Sequence, residues 1–120
     1  MAAASLWNGE GLYGRPVAAA ISGRWRIVEM DLWDREAIDL LGPAFLELDA
    51  GGTGQFRFIA VEGFIHWTRG PDGRSDFTWE GSDEGDPVSG RGWVELDEDG
   101  SLRGQIFLHM GDNSGFRAIR

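Results

Sequence analysis

Glycine-containing turns divide residues 44–120 into short segments with alternating side chains, and this pattern constrains the fold more than any other feature. Phe77 and Trp79, for example, alternate with Thr78 and Glu80, which places the two kinds of side chain on opposite faces of a β-strand. Glycine supplies 19 of 120 residues, about twice its ordinary frequency of about 7%. The strands predicted from this pattern are residues 21–30, 44–49, 55–62, 64–69, 75–80, 91–96, 102–110 and 115–120.

Most links between these strands have the length of a hairpin turn. Sequential hairpins favour an up-and-down antiparallel meander, and eight strands are enough for such a sheet to close on itself. The sequence therefore predicts an all-β fold, a small eight-stranded up-and-down antiparallel barrel. We expect one barrel domain over residues 21–120, preceded by an N-terminal extension of residues 1–20.

One short helix is predicted after the first strand, at about residues 32–41. Asp31 or Asp34 would cap its N-terminus, and Gly42-Pro43 would end it.

The charge and composition exclude several classes of partner and site. A formal net charge of −9 disfavours contact with nucleic acid or an anionic membrane surface, and no basic cluster offsets it. The absence of cysteine excludes disulfides and thiolate metal sites. No apolar run approaches the length of about 18 residues that spans a membrane. Residues 1–20 lack the basic start and continuous apolar segment of a signal peptide, so a cytoplasmic location is expected.

The tripeptide Gly23-Arg24-Trp25 resembles the Gly-x-Trp signature that opens the barrel of lipocalins and related calycins. The resemblance implies a calycin-like barrel in which this Trp packs at the closed end. It also implies that a basic residue of the last strand, Arg117 or Arg120, lies across the Trp ring. The chain differs from lipocalins because its helix follows the first strand.

Residues 21–120 also resemble a family of small uncharacterised bacterial proteins. That resemblance supports the domain limits and implies no activity or catalytic residue. It rests on residues 23–27 with Trp33-Asp34, on 77–84, on Gly90-Arg91-Gly92 and on 109–116.

The leading functional prediction is a non-enzymatic barrel that binds a small, partly apolar molecule at its open end. No cofactor is expected. The predicted walls of the site are Trp67, Phe77, Trp79 and Trp93, and the predicted polar contacts are Glu80, Arg91 and His109.

Two clusters offer alternative chemistry. Asp83, Glu84 and Asp86 crowd into an acidic, glycine-rich segment that either binds a hard cation or forms a solvated loop. His109 and Asp112, with His66, either bind a transition metal or perform acid/base catalysis, or else fill structural roles. A metal-dependent hydrolase that uses the acidic segment and His109 is therefore a second alternative function.

Arg91 has a third, purely structural interpretation. If it shares a face with Trp93, its guanidinium would reach Glu80 and form a buried ion pair that holds the acidic segment closed.

A protein-interaction module is the alternative function. In that case Leu6, Trp7 and Tyr13 of the N-terminal extension would contribute to a homodimer or another protein contact.

Overall fold

The computed structural model describes residues 21–120, which form a closed barrel of eight antiparallel strands. Each strand pairs with the next along the chain, and the last strand pairs with the first through Arg26 and Ile119. The predicted up-and-down barrel with one short helix after the first strand is confirmed. Leu6, Trp7 and Tyr13 lie outside the described residues. The elements are β1 (Gly23–Met30), α1 (Arg35–Ile38), β2 (Phe45–Leu48), β3 (Thr53–Phe58), β4 (Val61–Arg69), β5 (Arg74–Asp83), β6 (Asp86–Leu96), β7 (Leu102–Leu108) and β8 (Asn113–Ile119).

The interior of the barrel is packed with aromatic rings that lie against glycines on neighbouring strands. A Cβ atom at Gly63 would lie 2.5 Å from the ring of Phe56 and 2.8 Å from the ring of Trp79. A Cβ atom at Gly92 would overlap the ring of Phe77 in the same way. The glycines therefore leave the space that the rings fill, and large and small residues interlock across the sheet.

Trp25 closes one end of the barrel. Its indole Nε1 donates a hydrogen bond to the carbonyl of Ile21 at 2.9 Å. The guanidinium of Arg120 lies 4.1 Å from the ring centroid and donates to the carbonyl of Ser22. This is the contact that the resemblance to calycins implies, and Arg120 makes it. Arg117, the other candidate, lies 4.0 Å from the carboxylate of Asp99 instead.

The segment around α1 closes the other end. Ile38 is buried, and its carbonyl accepts a hydrogen bond from the backbone N–H of Ile59 in the β3–β4 turn. The ring of Trp33 lies 5.6 Å from that of Phe58. Asp34 caps the helix as predicted, since its carboxylate accepts from the backbone N–H of Ala37. The contact between Trp25 and Arg120 and the α1 segment thus lie at opposite ends of the barrel.

The helix is shorter than the predicted residues 32–41, because Asp39 turns the chain back towards β1. Its carboxylate accepts two hydrogen bonds from the guanidinium of Arg26, at 2.8 and 2.6 Å, and one from the backbone N–H of Ala44. The hydrogen bond from Arg26 is the main reason that the pKa of Asp39 lies well below its usual range. Leu40 and Leu41 consequently leave the helical spacing and are exposed.

The acidic segment is a hairpin rather than a loop, which corrects the prediction. β5 continues to Asp83 and β6 begins at Asp86, and these two residues pair with each other. Only Glu84 and Gly85 connect the strands, and both have positive φ, at 53° and 90°. Two consecutive residues with positive φ match the right-handed twist of a hairpin, so a longer loop is not needed.

No helix within residues 21–120 has the length and hydropathy needed to cross a membrane.

Candidate functional site

The structure places three of the predicted ligand-binding residues inside the barrel. Trp67, Phe77 and Trp79 are buried in the core. The indole of Trp67 donates to the carbonyls of Asp49 and Thr53, and that of Trp79 donates to the carbonyl of Phe107. These rings are therefore fully used in packing and hydrogen bonding within the fold.

The other four predicted residues lie elsewhere. Glu80 and Arg91 are exposed on the outer face of β5 and β6, and Trp93 is half-buried on the same face. The guanidinium of Arg74 covers the Trp93 ring at 3.8 Å from its centroid. His109 is exposed in the turn between β7 and β8. Because side chains alternate along a strand, the seven residues divide between two faces and do not line one pocket.

A groove does exist on the outer face, where β6 and β7 pair. We call this concave surface, with a volume of about 570 Å³, the β6–β7 groove. In the sheet, Arg91 is paired with Phe107 on one side and with Thr78 on the other. The turn after β7 closes the end of the groove, since the backbone N–H of His109 donates to the carbonyl of Ser89. The lining residues are Thr78, Ser89, Gly90, Arg91, Phe107, Leu108, His109 and Met110.

Met110 gives this groove an exposed apolar rim. Its side chain is 94% exposed, and its φ of 59° is unusual for a residue other than glycine. Methionine adapts its shape readily to an apolar partner. An apolar side chain at this position therefore favours contact with a bound molecule.

Arg91 is the one arginine among the described residues that line the β6–β7 groove, and its guanidinium has no acidic partner within residues 21–120. It lies 4.1 Å from the ring centroid of Phe107 and makes no hydrogen bond or ion pair with another residue of 21–120. A cation held on an aromatic face keeps its N–H groups directed to the surroundings. Other arginines of residues 21–120 do pair with carboxylates. They are Arg24, Arg26, Arg35, Arg74, Arg103 and Arg117.

A second groove adjoins the first. We call it the β4–β6 groove; its volume is about 380 Å³. It shares Thr78 and Arg91 with the β6–β7 groove, so the two grooves adjoin at these residues on the outer face. Its lining residues are His66, Thr68, Asp76, Phe77, Thr78, Arg91 and Gly92.

The hypothesised ion pair between Arg91 and Glu80 does not form. Glu80 is opposite Ser89 in the β5–β6 pairing, whereas Arg91 is opposite Thr78 and stacks on Phe107. The half-buried ion pair of the described region joins Arg26 to Asp39 instead.

The candidate cation ligands lie at the tip of the β5–β6 hairpin. Asp83 and Asp86 are paired across it, and Glu84 is exposed in the turn. His66 lies on β4, and His109 lies in the turn after β7. Within residues 21–120, no group of three or more His, Asp or Glu side chains is arranged to hold a metal ion.

Comparison of the chain with known proteins gives no match to a family model, to a curated protein or to a solved structure. The likeness to calycins consequently rests on the closed eight-stranded barrel and on the contact between Trp25 and Arg120. The resemblance to a small bacterial family stays a prediction.

Proposed function

We propose that the protein is a non-enzymatic barrel that binds a small molecule in the β6–β7 groove, on its outer face. The observation that carries the proposal is the position of Arg91, which is stacked on Phe107 inside a groove and has no acidic partner among residues 21–120. The protein carries a net charge of −9, and most arginines of residues 21–120 are paired with carboxylates. An arginine left available in such a surface is suited to an anionic ligand.

The lining of the groove favours a carboxylate attached to an apolar body. The guanidinium of Arg91 offers paired N–H donors that match the geometry of a carboxylate. Phe107, Leu108 and Met110 supply apolar surface beside it, and Ser89 adds a hydroxyl group. In small-molecule sites, directed polar groups of this kind fix the orientation of the ligand beside apolar side chains.

The interior of the barrel offers less support for binding. Phe77 and Trp79, which were predicted to line an internal site, fill the space beside Gly92 and Gly63. A ligand there would have to displace packed aromatic rings. Displacing such rings sacrifices contacts that stabilise the fold.

Calorimetric titration with 3-phenylpropanoate and with its neutral amide tests the proposal. We expect the carboxylate to bind and the amide to bind at least about tenfold more weakly, a difference of about 1.4 kcal/mol. Arg91→Met should abolish the preference for the carboxylate. Bound carboxylate should also raise the melting temperature of the native protein, and this shift should be absent in Arg91→Met.

Arg24→Met is the matched control. Arg24 also stacks on an aromatic ring, 3.9 Å from the centroid of Phe45, but it pairs with Glu47 and lies outside the groove. Its replacement should leave binding unchanged. Equal binding of acid and amide, or equal loss in both variants, would contradict the proposal.

Exposed leucines beside α1 favour self-association as a second candidate function. Leu32, Leu40 and Leu41 are 50%, 64% and 57% exposed, and adjacent exposed apolar side chains are typical of contact surfaces. Analytical ultracentrifugation over a range of concentrations would test it. We expect a dimer that Leu40→Ser weakens; a monomer at all concentrations would rule this candidate out.

A further inference from the structure

We propose that the ligand is a zwitterion, an α-amino acid with an apolar side chain, whose carboxylate contacts Arg91 and whose ammonium contacts Asp76. This inference rests on the proposed function and names its ligand class. It depends on the β4–β6 groove, which the binding of a simple carboxylate at Arg91 leaves unexplained.

The strand pairing places Asp76 and Arg91 close together on the outer face. Arg91 is opposite Thr78, and Asp76 is two residues before Thr78 on β5. The two charged residues are therefore diagonal neighbours across adjacent strands, with backbones about 7–8 Å apart. Both line the β4–β6 groove.

These opposite charges do not pair with each other. Neither Asp76 nor Arg91 makes an ion pair or a side-chain hydrogen bond with any residue of 21–120. Arg91 is instead held on the ring of Phe107, which directs it away from Asp76. The arrangement leaves a positive and a negative group at one groove, each with its hydrogen-bonding capacity available.

Asp76 is unfavourable for a simple anion, because its negative charge repels a carboxylate bound at Arg91. It is favourable only if the ligand also carries a positive group. In an α-amino acid the ammonium and the carboxylate share one carbon atom, so binding both requires the side chains of Arg91 and Asp76 to turn from Phe107 and Gly70 towards the groove that they line. Charge-assisted hydrogen bonds of this kind are the stronger class of polar contact.

The continuity of the two grooves accounts for the apolar part of the ligand. Thr78 and Arg91 belong to both grooves. A ligand anchored at this boundary would extend its side chain into the β6–β7 groove, against Phe107 and Met110. The ammonium would then lie in the β4–β6 groove, beside His66 and Thr68.

Three related compounds distinguish the contributions of the two charges. L-phenylalanine carries both, 3-phenylpropanoate carries only the carboxylate, and 2-phenylethylamine carries only the ammonium. Calorimetric titration of the full chain should give L-phenylalanine an affinity at least about tenfold higher than either of the others. In Asp76→Asn, L-phenylalanine and 3-phenylpropanoate should bind equally. Glu80→Gln is the matched control, since Glu80 is an exposed acid on the outer face of the same strand but outside both grooves; it should retain the preference.

Equal affinity of L-phenylalanine and 3-phenylpropanoate for the wild-type protein would overturn this inference and leave the proposed function standing. The same holds if Asp76→Asn and Glu80→Gln reduce the preference to the same extent. Failure of all three compounds to bind would overturn both. Circular dichroism of each variant confirms that these exposed, nearly isosteric substitutions leave the fold intact.

Discussion

The inner and outer faces of β5 and β6 differ in how completely they are filled. On the inner face, the rings of Phe77 and Trp79 occupy the space above glycines of neighbouring strands. On the outer face, Thr78 and Arg91 border two grooves. The same hairpin thus provides a packed core on one side and an accessible surface on the other. This difference is the reason that we propose a binding site on the outer face rather than inside the barrel.

Gly63→Ala tests the packed inner face and should have the largest effect. The added methyl group would lie 2.5 Å from the ring of Phe56 and 2.8 Å from that of Trp79. Overpacking of this kind costs about 2–3 kcal/mol of the free energy of unfolding. Urea denaturation measures the change. Gly51→Ala, where the nearest atom lies at 3.4 Å, should be nearly neutral, and equal stability of the two variants would show that the interior has spare room.

Asp39→Asn removes the carboxylate that pairs with Arg26, whereas Arg91→Met removes an arginine that has no carboxylate partner within residues 21–120. Loss of the charge-assisted contact with Arg26 should cost about 2 kcal/mol, whereas Arg91→Met should change stability by less than about 0.5 kcal/mol. Thermal and urea unfolding at pH 7 measure both. If the two variants lose equal stability, the distinction between these arginines is wrong.

The same ion pair predicts a pH dependence. The pKa of Asp39 is lower in the folded protein than in the unfolded chain, mainly because of the hydrogen bond from Arg26. The unfolded chain therefore takes up the proton more readily, so the stabilisation is complete above pH about 4 and declines as the pH falls further. Asp39→Asn should flatten the decline of stability in that acidic range. An unchanged acid limb in the variant would contradict this account.

Arg120→Met tests the closed end of the barrel and should destabilise the protein less than Gly63→Ala or Asp39→Asn. The contact with the Trp25 ring and the hydrogen bond to the Ser22 carbonyl together are worth about 1 kcal/mol. Thermal unfolding measures the loss of stability, and the fluorescence of the protein reports the loss of the contact with the Trp25 ring. Arg117→Met, which removes a longer contact with Asp99, is the control and should lose less.

The alternation of side chains was sufficient to predict the fold. It gave eight strands, and hairpin-length links between them led to a closed antiparallel barrel. The β5–β6 connection was misjudged because acids and glycines typify loops, whereas Glu84 and Gly85 alone can form the turn. The helix was overestimated because its length depends on Asp39 meeting Arg26, a contact between residues distant in sequence.

The candidate site was less accessible to prediction. Alternation alone places Phe77 and Trp79 on the face opposite Glu80, so a single pocket containing all three was inconsistent with the predicted strand. Arg91 was predicted either to contact a ligand or to pair with Glu80, and its contact with Phe107 was not foreseen because it depends on the pairing of β6 with β7. That register is set by the packing of the whole sheet and has no local signal in the sequence.

The central claim is that ligands bind on the outer face, and the backbone amide spectrum of ¹⁵N-labelled protein titrated with 3-phenylpropanoate tests it most directly. The account predicts chemical-shift changes concentrated at Ser89, Arg91 and residues 107–110, with little change at core positions such as Trp25 and Leu46. Changes concentrated instead at interior residues such as Trp67 and Ile65, and unaffected by Arg91→Met, would place the ligand inside the barrel and contradict the account.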